Sequence, residues 1–200
     1  MNTKQKMKQE MPVGCVVMAA GDSSRFGENK LMVQLDGKTM IQRALDAVPP
    51  DRLASVCVVT QYAEIASMAR EYGFRFVYNH HPERGISYTV RLGTEKLKSR
   101  CRAIIFLVAD QPLLQRQSVE ALLDCFIRNP ERIVAASRGG VRGNPCIFPE
   151  RFFSELCALS GDVGGSAVIR RHEEDLLLLE VGEEELTDVD TPDALDQLRK

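Results

Sequence analysis

Between Met18 and Leu31 the chain reads MAAGDSSRFGENKL, so that Gly21 and Gly27, Ser23 and Ser24, Arg25 and Lys30 crowd into one loop after an apolar run. These residue types suit a polyphosphate. Glycine lets backbone N–H groups come close to an anion, while a guanidinium and an ammonium neutralise charge that hydroxyls cannot. An ordinary surface turn with two basic residues is the plainer alternative. Spacing excludes the two best-known phosphate loops. A Walker A loop has Gly-Lys-Ser/Thr at its end, whereas Glu28 follows Gly27 and the G-x-G-x-x-G pattern is absent.

A second chemical feature is Asp110. The run AIIFLVADQPLL drives a hydrophobic segment, Ala103 to Ala109, straight into this carboxylate, and Pro112 then stops it. A strand-end aspartate can hold Mg²⁺ together with phosphate oxygens, or it can simply cap the next turn. Asp188 and Asp190 in TDVDTPDAL precede Thr191-Pro192, a good helix start, where Asp190 or Thr191 would act as a cap. In NHHPERGISYTVRLG, Gly85 ends a polar loop and Ser87 or Thr89 opens a helix whose N–H groups could meet an anion or a ribose. His80 and His81 are adjacent with no third histidine nearby, which suits solvated loop residues rather than metal ligands.

The pattern A-A-G-x-S-x-R-F-G-x-x-K-L resembles the signature of the MobA-like nucleotidyltransferases, in particular their molybdenum cofactor cytidylyltransferase branch. The resemblance continues through LVADQPL, through Asn79–Gly93 (with Ile86 and Thr89 where the family has Met and Ser), and through RGNPCIFP and SGDVGGSAVI. It spans nearly all of Val13 to Leu198. It implies a Rossmann-like three-layer α/β/α fold with a mostly parallel sheet, and Mg²⁺-dependent transfer of CMP from CTP to molybdenum-molybdopterin for a molybdenum hydroxylase client. Arg25, Lys30 and Asp110 would be catalytic, with Arg25 at the leaving pyrophosphate and Lys30 at the α-phosphoryl group. The nucleotide would meet Ala19, Ala20, Gly21, Ser23, Ser24, Arg25, Lys30, Gly85, Ser87 and Thr89. Asp110 would hold the metal, with Asp188 second by analogy to the D-x-G-T-P of sugar nucleotidyltransferases. RGNPCIFP and SGDVGGSAVI would build the acceptor side. The guanylyl branch has a second glycine where Ala20 stands, which favours CTP. Alternatives are a cytidylyltransferase for a methylerythritol phosphate or sugar phosphate, and a non-catalytic accessory protein that binds the molybdenum cofactor.

The elements that must position these residues read as α/β. Apolar runs at Val13–Ala20, Ser55–Thr60, Phe74–Tyr78, Ala103–Ala109 and Ile133–Ala136 alternate with helical patterns at Thr39–Val48, Ala63–Tyr72, Ser87–Leu97 and Ser118–Ile127. Asn144–Phe148 and Asp175–Val181 are expected to add strands to the same sheet. Ligands of such sheets bind at the carboxyl ends of the strands, so the loops after Ala20, Tyr78 and Ala109 are the candidates. The 200 residues suit one domain over 12–200, with a disordered polar start at 1–11. A net charge of -2 disfavours nucleic acid, and no segment has the length and apolarity of a membrane span. Six cysteines without C-x-x-C spacing read as core residues in a reducing cytoplasm.

Overall fold

The structure is a computed structural model that describes residues 11–21 and 29–198. Ser23, Ser24, Arg25 and nearly all of the N-terminal segment therefore lie outside the described residues. In chain order the elements are β1 (Val13–Ala19), the hairpin β2 (Gln34–Leu35) and β3 (Lys38–Thr39), α1 (Met40–Asp46), β4 (Ser55–Thr60), α2 (Ala63–Glu71), β5 (Arg75–Tyr78) and α3 (Ile86–Leu97). There follow β6 (Ala103–Val108), α4 (Arg116–Arg128), β7 (Ile133–Arg138), β8 (Val141–Pro149), α5 (Phe153–Ala158), α6 (Ser166–Arg171), β9 (Leu176–Glu180) and α7 (Pro192–Leu198).

Seven strands form one sheet in the order β5-β4-β1-β6-β8-β7-β9. It is parallel except at β8, which runs antiparallel to both β6 and β7. The central strands are apolar on both faces, as strands covered by helices on each side must be. Cys15, Val17, Ile105 and Leu107 pack with Ile41, Ile65 and Phe126 of α1, α2 and α4. The alternate residues Val16, Cys57, Ile104 and Phe106 pack with Val90, Leu156 and Ile169 of α3, α5 and α6. This is an α/β/α Rossmann-like fold.

Local chemistry fixes where elements begin. Thr39 and Gln42 form a capping box, with Gln42 N donating to Thr39 Oγ1 at 3.3 Å and Thr39 N to Gln42 Oε1 at 2.8 Å, so α1 starts at Met40. Gly93 lets α3 lie directly on β1, since a Cβ there would come within 2.6 Å of Val16 Cγ1. The hairpin β2–β3 turns on Asp36-Gly37, both at positive φ, a pair suited to a tight two-residue turn. No helix among the described residues is long and apolar enough to cross a membrane. Cys15, Cys57, Cys101 and Cys146 are buried, while Cys125 and Cys157 are partly so, and all six are free thiols.

Candidate active site

The strand order reverses between β1 and β6, because β4 and β5 continue to one side of β1 and β6 lies on the other. A crevice opens at the carboxyl ends of strands where the order reverses. Met18 pairs with Val108 and its carbonyl accepts from Ala109 N at 3.1 Å, so Ala20–Gly21 and Asp110 emerge side by side. Gln61 Nε2 donates to Ala20 O at 3.1 Å and Tyr62 Oη donates to Gly21 O at 3.1 Å, which fixes the exit of the chain into the glycine-rich loop.

Lys30 enters this crevice from a 3₁₀ turn, Lys30–Met32, whose first N–H groups are capped by Asn29 and whose Leu31 is buried in the core. Its ammonium donates to Asp110 Oδ2 at 3.0 Å, to Asp190 Oδ1 at 2.8 Å and to Val189 O at 3.2 Å. Burial opposes the charged ammonium, yet the Asp110 and Asp190 carboxylates outweigh that penalty and hold its pKa above the ordinary value.

Asp190 reaches the crevice because the segment before it is pinned. Buried Glu185 accepts from Gln115 N and Gly182 N, each at 2.9 Å, and from Ser118 Oγ at 2.8 Å. It thus caps α4 across a long sequence separation, where the helix has no cap of its own. Downstream, Val189 N donates to Asp110 O at 2.9 Å. Asp188 accepts from Gln111 Nε2 at 2.9 Å. Loss of hydration raises the Asp188 pKa first, and the Asp110 carboxylate raises it further.

A cavity of about 570 Å³ stands over these groups, walled by Ala20, Gly21, Lys30, Gly85, Thr89 and Asp110, with Asp162 and Asp190 also on its surface. Of the described residues expected from sequence to meet the nucleotide, two are not on this wall. Ala19 is buried within β1 opposite Thr60. Ser87 is also buried, its N donating to Gly161 O at 3.3 Å and its hydroxyl facing Arg84 O at 3.5 Å. Thr89 Oγ1 is engaged by Asn79 Nδ2 at 3.1 Å. Asp188 lines a neighbouring cavity, whereas Asp190, read from sequence chiefly as a helix cap, lies on the main wall. His80 and His81 are exposed, and His81 Nδ1 lies 3.1 Å from Glu83 Oε1.

A second cavity of about 330 Å³ adjoins the first and shares Met18, Ile86 and Asp162 with it. Its wall includes Arg142, Asn144, Phe148 and Gly165, from the two segments expected to build the acceptor side. The two sides are in direct contact. Ile86 N donates to Asp162 Oδ1 at 3.4 Å, and a Cβ on Gly85 would sit 2.7 Å from Gly161 C and O. Asp162, Asp190 and the Gln61–Tyr62 pair were not assigned from sequence. The only signal for the first two was their membership of the GD and DVDTP segments.

The arrangement joins an acid–ammonium cluster to a cavity of nucleotide size at a strand-order reversal, and comparison with known proteins agrees with it. The MobA-like NTP transferase domain model matches residues 15–176. Purine catabolism protein PucB of Bacillus subtilis (strain 168) is 30% identical over 197 residues, covering 92% of this chain and 95% of that protein. A probable molybdenum cofactor guanylyltransferase of the same organism is 28% identical over 142 residues, 70% of this chain and 69% of that one. The crystal structure of Rv0371c from Mycobacterium tuberculosis H37Rv superposes with a TM-score of 0.81 at 24% identity, covering 94% of this chain and 97% of that one. A manganese complex of Rv0371c has a TM-score of 0.77 at 22% identity, covering 94% and 98%. The family match, the long PucB alignment and the shared fold lead to one conclusion: this chain is a nucleotidyltransferase of the MobA-like NTP transferase family.

Proposed function

We propose that the protein transfers CMP from CTP to molybdenum-molybdopterin, giving molybdopterin cytosine dinucleotide and pyrophosphate for a molybdenum hydroxylase. The observation that carries this reading is the meeting of Lys30, Asp110 and Asp190 on the wall of the larger cavity. Three carboxylates, Asp110, Asp188 and Asp190, gather near one described ammonium, and the raised pKa of Asp188 reflects both lost hydration and that crowding. Hard oxygen donors with surplus negative charge suit Mg²⁺. Asp110 and Asp190 would hold it, and Asp188 would add charge from the adjoining cavity. When bound, such an ion supplies neutralisation of the phosphate oxygens.

The remaining work falls to the chain's own residues. An oxygen of the acceptor phosphate forms the new bond to the α-phosphorus as the bond to pyrophosphate breaks. That oxygen is already anionic at neutral pH, so no side chain has to remove a proton. Lys30 fixes the two aspartates and offsets charge at the α-phosphoryl group, and Arg25 is assigned to the leaving pyrophosphate. Catalysis is then positioning and charge neutralisation. The Ala20 methyl group borders the cavity and favours a pyrimidine over the larger guanine. A molybdenum cofactor acceptor is supported by the name of the guanylyltransferase relative, and the name of PucB suits a hydroxylase client that acts on purines. We assign the reaction to the cytoplasm, where CTP is available.

The test is pyrophosphate release from each of the four nucleoside triphosphates with Mg²⁺, with and without molybdopterin. CTP with molybdopterin is the expected pair. Preference for GTP would overturn the choice of base, and release with a sugar phosphate or methylerythritol phosphate in place of molybdopterin would overturn the acceptor.

A further inference from the structure

Nucleotidyl transfer to a phosphate brings two anions together, so each side of the reaction needs positive charge. The nucleotide side has Lys30. On the acceptor side, Arg142 stands near the start of β8, and it lines both the 330 Å³ cavity and a further cavity of about 570 Å³ bounded by Gln111, Arg138, Asn144 and Asp188. Arg142 is half-buried and, among the described residues, makes no ion pair. Other arginines of the chain are paired: Arg43 with Asp36, Arg52 with Asp124 and Arg151 with Asp175. Arg138, the other cation of the outer cavity, already donates to Glu183 O at 3.1 Å.

A half-buried guanidinium without an anion carries a desolvation cost that a ligand anion would offset. The guanidinium lies beside the Cys146 thiol, which burial keeps neutral, so no anion among the described residues offsets its charge where it lines the two cavities.

We infer that Arg142 binds the attacking phosphate of the acceptor and holds it against the repulsion of the nucleotide and of Asp110 and Asp188. The guanidinium can engage two phosphate oxygens at once. This rests on the reading of the acceptor as a phosphate, and not on which molecule carries that phosphate.

Two measurements test it. In the first, inorganic phosphate is titrated into wild-type protein whose nucleotide site is filled by Mg²⁺ and a non-hydrolysable triphosphate analogue. The Nε–Hε resonance of Arg142, assigned by its loss in Arg142→Met, should shift saturably. An unmoved resonance overturns the inference. In the second, steady-state transfer to molybdopterin is compared in wild type, Arg142→Ala and Arg142→Lys. The alanine variant should raise KM for the acceptor by about tenfold or more, the scale of one lost charge-assisted hydrogen bond, and leave KM for CTP within about twofold. Lysine should recover part of the loss. An unchanged acceptor KM, or a rise in KM for CTP instead, overturns it. If molybdopterin is not used by wild type yet phosphate shifts the Arg142 resonance, the assigned acceptor fails and the role of Arg142 stands.

Discussion

Lys30 Nζ lies 3.0 Å from Asp110 Oδ2, joining a turn that follows β1 to the end of β6 across 80 residues of sequence. With its side chain only 11% exposed, this ammonium is the clasp that keeps Asp110 and Asp190 together, and it is the cation proposed to face the α-phosphoryl group. Lys30→Ala should lower kcat/KM for the triphosphate by about 2–4 kcal/mol of transition-state stabilisation, the scale for one preorganised charged donor. Arginine should rescue poorly, because a planar fork cannot replace a compact ammonium with three donors. Wild-type kcat/KM in the alanine variant would remove Lys30 from the machinery.

Asp110→Asn should lower kcat by at least about a hundredfold with little change in Tm. The backbone bond from Val189 N to Asp110 O does not depend on the side chain and persists in the variant. A near-normal rate at saturating Mg²⁺ would sink the assignment of Asp110 as a metal ligand.

Glu185 lies outside the cavity wall, yet it fixes the segment that delivers Asp190. Glu185→Ala strands Gln115 N, Gly182 N and the Ser118 hydroxyl, and should cost about 1–3 kcal/mol of stability. A lower kcat measured well below the melting transition is expected with it. Thermal melting paired with kinetics separates the two effects: lower Tm with unchanged kcat would mean that residues 182–190 hold their place without Glu185.

Asp46 connects three elements, accepting from Lys38 Nζ at 2.6 Å and Tyr72 Oη at 2.8 Å. Burial raises its pKa, but the bonds from Lys38 and Tyr72 and the charge of Arg116 prevail and bring it below the ordinary 3.8. A depressed carboxyl pKa stabilises the folded state above the unfolded value, and that contribution is lost as pH falls through the folded one. With a side chain 37% exposed, the contribution is screened to about 1 kcal/mol or less. The stability difference between wild type and Asp46→Asn should hold steady from neutral pH down to about 4 and then shrink, as denaturation at a series of pH values would register. A difference independent of pH would assign the effect to packing.

Ala20→Gly should relax discrimination between CTP and GTP by about 1–3 kcal/mol at most, the range for one small apolar group. The Gln61 bond to Ala20 O holds the backbone in place, so the methyl group is the main change. The ratio of kcat/KM values for the two nucleotides, with molybdopterin as acceptor, is the readout. An untouched ratio would release Ala20 from base selection.

The strands of the central sheet were legible because each is a short apolar run stopped by a turn, and their bounds agree within a residue or two from β1 to β6. The four long helices were legible from their periodicity. The short helices α5 and α6 and the β2–β3 hairpin escaped, since six residues or fewer carry little periodic signal. At the site, Lys30 and Asp110 stood out by residue type and position. Asp190 did not, because its meeting with Lys30 depends on Val189 and Glu185 folding the chain back across α4. Ser87 was drawn toward the nucleotide by its place at a helix start, and the structure turns its N–H to Gly161 instead.

The contact of Gly85 with Gly161 has a consequence for how substrate choice can change in this protein. Any side chain introduced at 85, on the wall of the larger cavity, pushes on the Gly161–Asp162 turn, and Asp162 also walls the smaller one, so the shapes of the two cavities are mechanically geared. With the nucleotide and the acceptor in these two cavities as proposed, a substitution at 85 aimed at one substrate will disturb the fit of the other.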